Sequence, residues 1–223
     1  GYVRLDGDCE MKRVTLFAGH YGSGKTNLAV NLAVDYAKAG ERVAVVDLDL
    51  VNPYFRTADH GELFKAHGIK LIAPNYANTN LDIPSIGVDM AAAADGCDRL
   101  IIDVGGDDAG AAALGQYSRV LNGLDCALYY VVNLYRLLTS EPDEAVELLR
   151  DIERASRINA RGIVNCSNLG AQTTAADIEA TAGLAKQCAA AAGIPLVMTA
   201  AERSLCVDGA YPVDVYVRPF WEE

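Results

Sequence analysis

The stretch Val14-Thr-Leu-Phe-Ala-Gly-His-Tyr-Gly-Ser-Gly-Lys-Thr26 decides the fold. Its first five residues are short, mostly apolar and followed by glycine, which reads as a buried strand. Gly19, His20, Tyr21, Gly22, Ser23, Gly24, Lys25 and Thr26 then match the spacing G-x-x-x-x-G-K-[ST]. From 25 to 39 the apolar residues recur at helical spacing, and Gly40 suits a C-cap. Strand before and helix after is the context that gives this motif its meaning. Glycines let the chain wrap closely around a phosphate, backbone N–H groups turn inward, and the helix N-terminus adds positive potential. Lys25 is expected to reach the β- and γ-phosphates, and Thr26 to offer a hydroxyl to Mg²⁺. The alternative, an ordinary glycine-rich turn, is the weaker reading of a complete motif in this context.

Outward from the loop, apolar runs of strand length alternate with helical stretches. Strands are expected at 42–47, 69–73, 99–103, 125–132, 160–165 and 195–199, and further helices at 141–156 and 174–192. The pattern predicts an α/β fold with a doubly wound, mainly parallel sheet covered by helices on both faces. One domain is expected over 13–223, with 1–12 as an N-terminal extension and Met11-Lys-Arg as the native start. Ligands of such sheets bind at the carboxyl ends of strands, so the polar residues just beyond each apolar run carry the chemistry.

Two strand ends are acidic. Asp103 closes an apolar run and precedes Val-Gly-Gly106, the position of an acid that holds the Mg²⁺ shell. A helix-capping acid is the alternative there. Gly106 completes D-x-x-G, in which a glycine N–H approaches the γ-phosphate. Asp47 and Asp49 end the second strand two residues apart, on one side of an extended chain, where Mg²⁺ and Lys25 would relieve their repulsion. Two solvated loop acids are the alternative. Asp107 and Asp108 read better as loop acids or a helix cap than as catalytic groups.

The loop 19–27, Asp47-Leu-Asp49, Asp103-Val-Gly-Gly106 and Val164-Asn165 together resemble the MinD/ParA/Mrp-like ATPases, a group that includes CobQ/CobB-type nucleotide-binding domains. The resemblance covers nearly the whole chain. It implies a P-loop NTPase fold, often working as an ATP-dependent dimer, with ATP and Mg²⁺ as ligands. It gives Asp49 the positioning of the attacking water, Asp47 and Asp103 the Mg²⁺ water shell, and Thr26 direct ligation. It makes 49–57 and 103–110 the two switches, places Asn27 in the nucleotide loop, and gives Asn165 the adenine edge. Ala200-Ala-Glu202 would follow the last strand as a loop and line the base pocket. The sequence departs from the family at His20, where a second lysine usually stands, and at Tyr21, usually glycine. A neutral imidazole does not stabilise transition-state charge as a fixed cation does, unless phosphate holds His20 protonated. Packing over the nucleotide is an equal reading for both residues. The Cys-x-x-Cys signature of the iron–sulfur branch is absent, so no cluster is expected, and the membrane-targeting helix of the MinD branch is absent too.

Arg56 reads equally as a phosphate or partner contact and as a salt-bridged switch residue. Tyr129, Tyr130 and Tyr135 read as core and helix-packing groups, and 74–82 as an ordinary loop. The 223 residues carry 19 Lys and Arg against 30 Asp and Glu, a net charge of −11. That balance argues against sequence-independent binding to nucleic acid or anionic lipid. No stretch has the roughly 18 apolar residues of a membrane helix. The six cysteines read as reduced thiols and, with the lack of a leader, indicate the cytoplasm. The expected function is a nucleotide-driven switch on a protein partner or homodimer. An ATP-dependent small-molecule ligase of the dethiobiotin or cobyrinate amidation type is the alternative on the same scaffold. The acids argue against a third reading, a module that binds nucleotide without hydrolysing it.

Overall fold

A computed structural model describes residues 11–48, 60–72, 89–106, 108–136 and 141–217. Eight strands form one sheet: β1 Val14–Ala18, β2 Val43–Leu48, β3 Lys70–Ile72, β4 Arg99–Val104, β5 Cys126–Val132, β6 Ala160–Asn165, β7 Leu196–Glu202 and β8 Tyr211–Val213. Their order is β3-β2-β4-β1-β5-β6-β7-β8, and every pair is parallel. The helices are α1 Lys25–Lys38, α2 Gly61–Ala66, α3 Met90–Asp95, α4 Asp108–Gln116, α5 Ser118–Leu121, α6 Pro142–Ser156 and α7 Ala175–Ala192.

The near-continuous apolar strands follow from burial on both faces. Side chains alternate across the sheet. Leu16, Val46, Ile102 and Leu128 thus pack into one core with residues of α3 to α7. Phe17, Val45, Ile101 and Tyr129 pack into a second core under α1, with Phe64 of α2. The strand order runs from β1 to β4, β2 and β3 on one side and to β5 through β8 on the other. β1, central and buried at every position, delivers the glycine loop to the middle of the carboxyl edge.

Three expectations change. Ala200–Glu202 is not a loop. β8 pairs Tyr211, Pro212 and Val213 with Ala200, Ala201 and Glu202, and this partner keeps the chain extended to residue 202. Tyr135 is not a core residue. It is exposed, and its hydroxyl donates to the Asp177 carbonyl at 2.9 Å, whereas Tyr129 and Tyr130 are buried. Met11 also belongs to the packed structure: its side chain lies in the α1-side core, and its carbonyl accepts from Arg99 at 2.9 Å.

Candidate functional site

The loop after β1 turns on two glycines in the left-handed region, Gly22 at φ 74° and Gly24 at φ 91°. Only glycine takes such angles without strain. Gly24 is also the N-cap of α1, and it brings no capping side chain. No acid lies in the first turn, and the first intrahelical bond of Leu28 goes to the Gly24 carbonyl at 3.0 Å. A 14-residue helix with a bare N-terminus leaves N–H groups and a dipole to meet an anion. Lys25 and Thr26 open that helix, both buried, and both line a cavity of about 970 Å³. Ser23 Oγ is buried with no hydrogen-bond partner among the described residues, a donor suited to a phosphate oxygen.

The acidic strand ends meet here. β2 and β4 run in register with Asp47 opposite Asp103, and Asp103 in turn opposite Phe17 of β1. Register partners in adjacent strands share a face. Val45 and Ile101, two residues earlier, point into the core under α1, so both carboxylates lie on the α1 side of the sheet. Asp47 is 3% exposed and Asp103 0%. A hydroxyl on the first turn of α1 and two strand-end carboxylates form an all-oxygen donor set, the kind Mg²⁺ selects. Asp49, Asp107 and Arg56, like the 74–82 loop, lie outside the described residues.

Gly106 lies against the phosphate loop itself. A Cβ there would be 2.7 Å from the Tyr21 nitrogen and 3.1 Å from the Gly19 carbonyl. Only glycine allows the segment after β4 to approach this closely.

Asn133 was not singled out by sequence. It follows β5, is 0% exposed, and uses all four of its amide positions. Nδ2 donates to the carbonyls of Gly22 at 3.3 Å and Asn168 at 3.2 Å, while Oδ1 accepts from the N–H groups of Tyr135 at 3.1 Å and Asn168 at 3.2 Å. One amide thus ties together the segments leaving β1, β5 and β6.

The wall opposite the loop is the C-terminal segment. Tyr211 Oη donates to Asp35 at 2.6 Å. Asn31 donates to the Asp214 carbonyl at 2.8 Å and accepts from its N–H at 2.7 Å. Asn27 donates to the same carbonyl at 3.0 Å and accepts from the N–H groups of Tyr216 and Val217 at 2.8 and 3.1 Å. Asn27, Asn31 and Asp35 lie four residues apart, one stripe of α1. Burial and the Asp35 carboxylate push the Tyr211 phenol up, so its proton stays in this bond at neutral pH. Arg203 holds Asp214 at 2.9 Å and keeps its carboxyl below the usual range.

Asn165 is placed away from the cavity. It is 0% exposed, its Nδ2 donates to Thr181 at 3.3 Å, and its Oδ1 accepts from the Ser167 hydroxyl at 2.6 Å. The cavity wall is formed by the next residues, Cys166, Ser167 and Asn168. Burial pushes the Cys166 thiol up to about 12, so it is no thiolate nucleophile. His20 is also not a wall residue. Its Nδ1 lies 2.8 Å from the Tyr21 carbonyl, and since a carbonyl only accepts, Nδ1 carries the proton.

A phosphate loop on the central strand of a doubly wound parallel sheet defines a P-loop nucleotide-binding domain. The chain belongs to the CobQ/CobB/MinD/ParA nucleotide binding domain family, whose model matches residues 14–161. No curated protein matches it. Among solved structures it is similar to FtsY from Mycoplasma mycoides, at 19% identity and a TM-score of 0.61 over 96% of this chain and 67% of that one. It is similar to FtsY from Thermotoga maritima, at 18% and 0.58 over 95% and 68%. It is also similar to the signal recognition particle 54 kDa protein from Aeropyrum pernix in complex with GDP, at 18% and 0.57 over 85% of this chain and 41% of that one. These likenesses concern the fold. No helix among the described residues is long and apolar enough to cross a membrane.

Proposed function

We propose that the protein binds ATP with Mg²⁺, hydrolyses it slowly, and uses the cycle as a switch on a protein partner, which includes a second copy of the chain. The observation that carries this reading is the in-register pair Asp47 and Asp103 beside the bare N-terminus of α1. A site that only held phosphate would gain nothing from two buried carboxylates, which repel an anion unless a cation stands between.

In this reading the backbone N–H groups of 22–26 and the Lys25 ammonium hold the phosphates. The Thr26 hydroxyl would ligate Mg²⁺, with Asp47 and Asp103 helping to hold the ion. The ion would offset charge on the phosphate oxygens. Asp49 orients the attacking water. Gly106, packed on the loop, couples the segment after β4 to occupancy of the γ-phosphate position. The choice of ATP over GTP follows the family resemblance, and the test includes both nucleotides.

The test is phosphate release by the full chain without added metabolite, with Asp49→Ala as the trap. That variant is expected to keep ATP affinity within about threefold while turnover falls about 10²-fold or more. It is also expected to retain a protein partner in the presence of ATP. Wild-type turnover in Asp49→Ala contradicts the water-positioning role. Turnover that strictly requires a small-molecule co-substrate favours the ligase reading instead.

A further inference from the structure

The family resemblance places a second cation at position 20, and this chain has histidine there. The geometry does not aim that histidine at the nucleotide. Nδ1 is turned to the Tyr21 carbonyl, 2.8 Å away, and the ring lies off the cavity wall. We propose that Arg136 supplies the second cation in cis, its guanidinium meeting the charge that develops on the γ-phosphoryl group as it leaves. This rests on the reading of the site as a nucleoside triphosphatase.

Three cationic side chains line the cavity among the described residues: Lys25, Arg136 and Arg203. Arg203 follows β7 and is held by Asp214 of the C-terminal segment. Arg136 lies at the phosphate end. A Cβ on Gly22 would meet Arg136 Nε at 3.1 Å, Cζ at 3.3 Å and Nη2 at 3.5 Å, so the guanidinium is packed on the open side of the phosphate loop. Backbone geometry sets the turn at its base. The turn that carries it closes with Arg136 N–H donating to the Asn133 carbonyl at 3.0 Å, and the same asparagine donates from Nδ2 to the Gly22 carbonyl. One buried residue therefore fixes both the loop and the turn that presents the cation.

The chemistry suits the place. A guanidinium is charged at every working pH, and its planar fork of donors matches two phosphoryl oxygens at once. In hydrolysis a bond forms from the water oxygen to the γ-phosphorus, and the bond from that phosphorus to the bridging oxygen breaks. The electron pair stays on the leaving diphosphate, and the water's proton passes to solvent. Arg136 moves no proton. Its N–H groups meet negative charge that is larger in the transition state than in bound ATP, the condition for raising the rate rather than only tightening binding. An arginine acting this way in cis or trans is worth about 10³ to 10⁵ in rate.

The test uses the full chain as wild type, Arg136→Ala, Arg136→Lys and His20→Ala. Mg·ADP and Mg·ADP with aluminium fluoride are the binding probes, alongside phosphate release. For Arg136→Ala, ADP affinity is expected to stay within about threefold, while affinity for the aluminium fluoride complex falls about 100-fold and turnover about 10³-fold. Arg136→Lys is expected to recover part of both losses, since it keeps the charge and loses the fork. Arg136 is exposed, so folding is not at stake. Arg136→Ala at wild-type values on both readouts overturns the proposal, and so does an equal loss of ADP and aluminium fluoride affinity. Losses confined to His20→Ala also overturn it. A wild type that binds no nucleotide fails earlier and takes the triphosphatase reading with it.

Discussion

Lys25→Ala is expected to abolish hydrolysis to at least about 10³-fold below wild type and to weaken nucleoside triphosphate binding about 10- to 100-fold. Lys25 is the first residue of α1, 4% exposed, on the cavity wall. A side chain buried to that degree offers its charge to one spot. Truncation removes that charge where the phosphates would bind and leaves Asp47 and Asp103 nearby. The N–H groups of the first turn remain, which is why residual binding is expected. Alanine is the best helix former, so α1 survives and the far-ultraviolet dichroism spectrum stays unchanged. Calorimetric titration with ATP beside a phosphate-release assay separates the two effects. Undiminished turnover would remove the phosphate-loop assignment.

Asn133→Ala is expected to have the largest effect away from the phosphates. It leaves the Gly22 carbonyl, both backbone groups of Asn168 and the Tyr135 N–H without these bonds at the cavity wall, where the groups are part-buried and water meets some of them. At about 1–3 kcal/mol for each buried group left unmet, with partial relaxation, the net cost is about 3 kcal/mol. For a chain of this size that lowers Tm by about 6–12 °C. Nucleotide affinity should fall too, because the phosphate loop loses the tie at Gly22. Asn133→Asp separates the two consequences. It keeps the acceptor for Tyr135 and Asn168, so it recovers part of the stability. It also loses the donor to Gly22 and sets a carboxylate beside the loop, so nucleotide affinity stays low. Full recovery of affinity in Asn133→Asp would contradict the role given to this amide.

Much of the sheet was readable because the strands are buried on both faces. Val43–Leu48 and Arg99–Val104 are apolar until their acids, and those acids were readable as strand ends. Their being neighbours was not, because it depends on β2 and β4 pairing across some fifty residues of chain. β8 is not legible because Tyr-Pro-Val carries no period and, among the described residues, pairs with β7 alone. Asn27, Asn31 and Asp35 did leave a signal, a polar stripe at four-residue spacing on an otherwise apolar helix. What it binds, the segment 211–217, lies some 180 residues away. Asn165 shows the opposite limit. A strand-end amide looks the same in sequence whether it faces a base or, as here, a core threonine and serine. Arg136 left no signal at all, since its place over Gly22 comes from the turn that Asn133 holds.

The most direct measurement of the central claim is titration of the wild-type chain with ATP, once with Mg²⁺ and once with the metal chelated. If Asp47, Asp103 and Thr26 frame a cation beside the phosphate loop, ATP binds at least about tenfold tighter with Mg²⁺ than without it. Equal affinity in the two titrations, or no binding in either, would contradict the account.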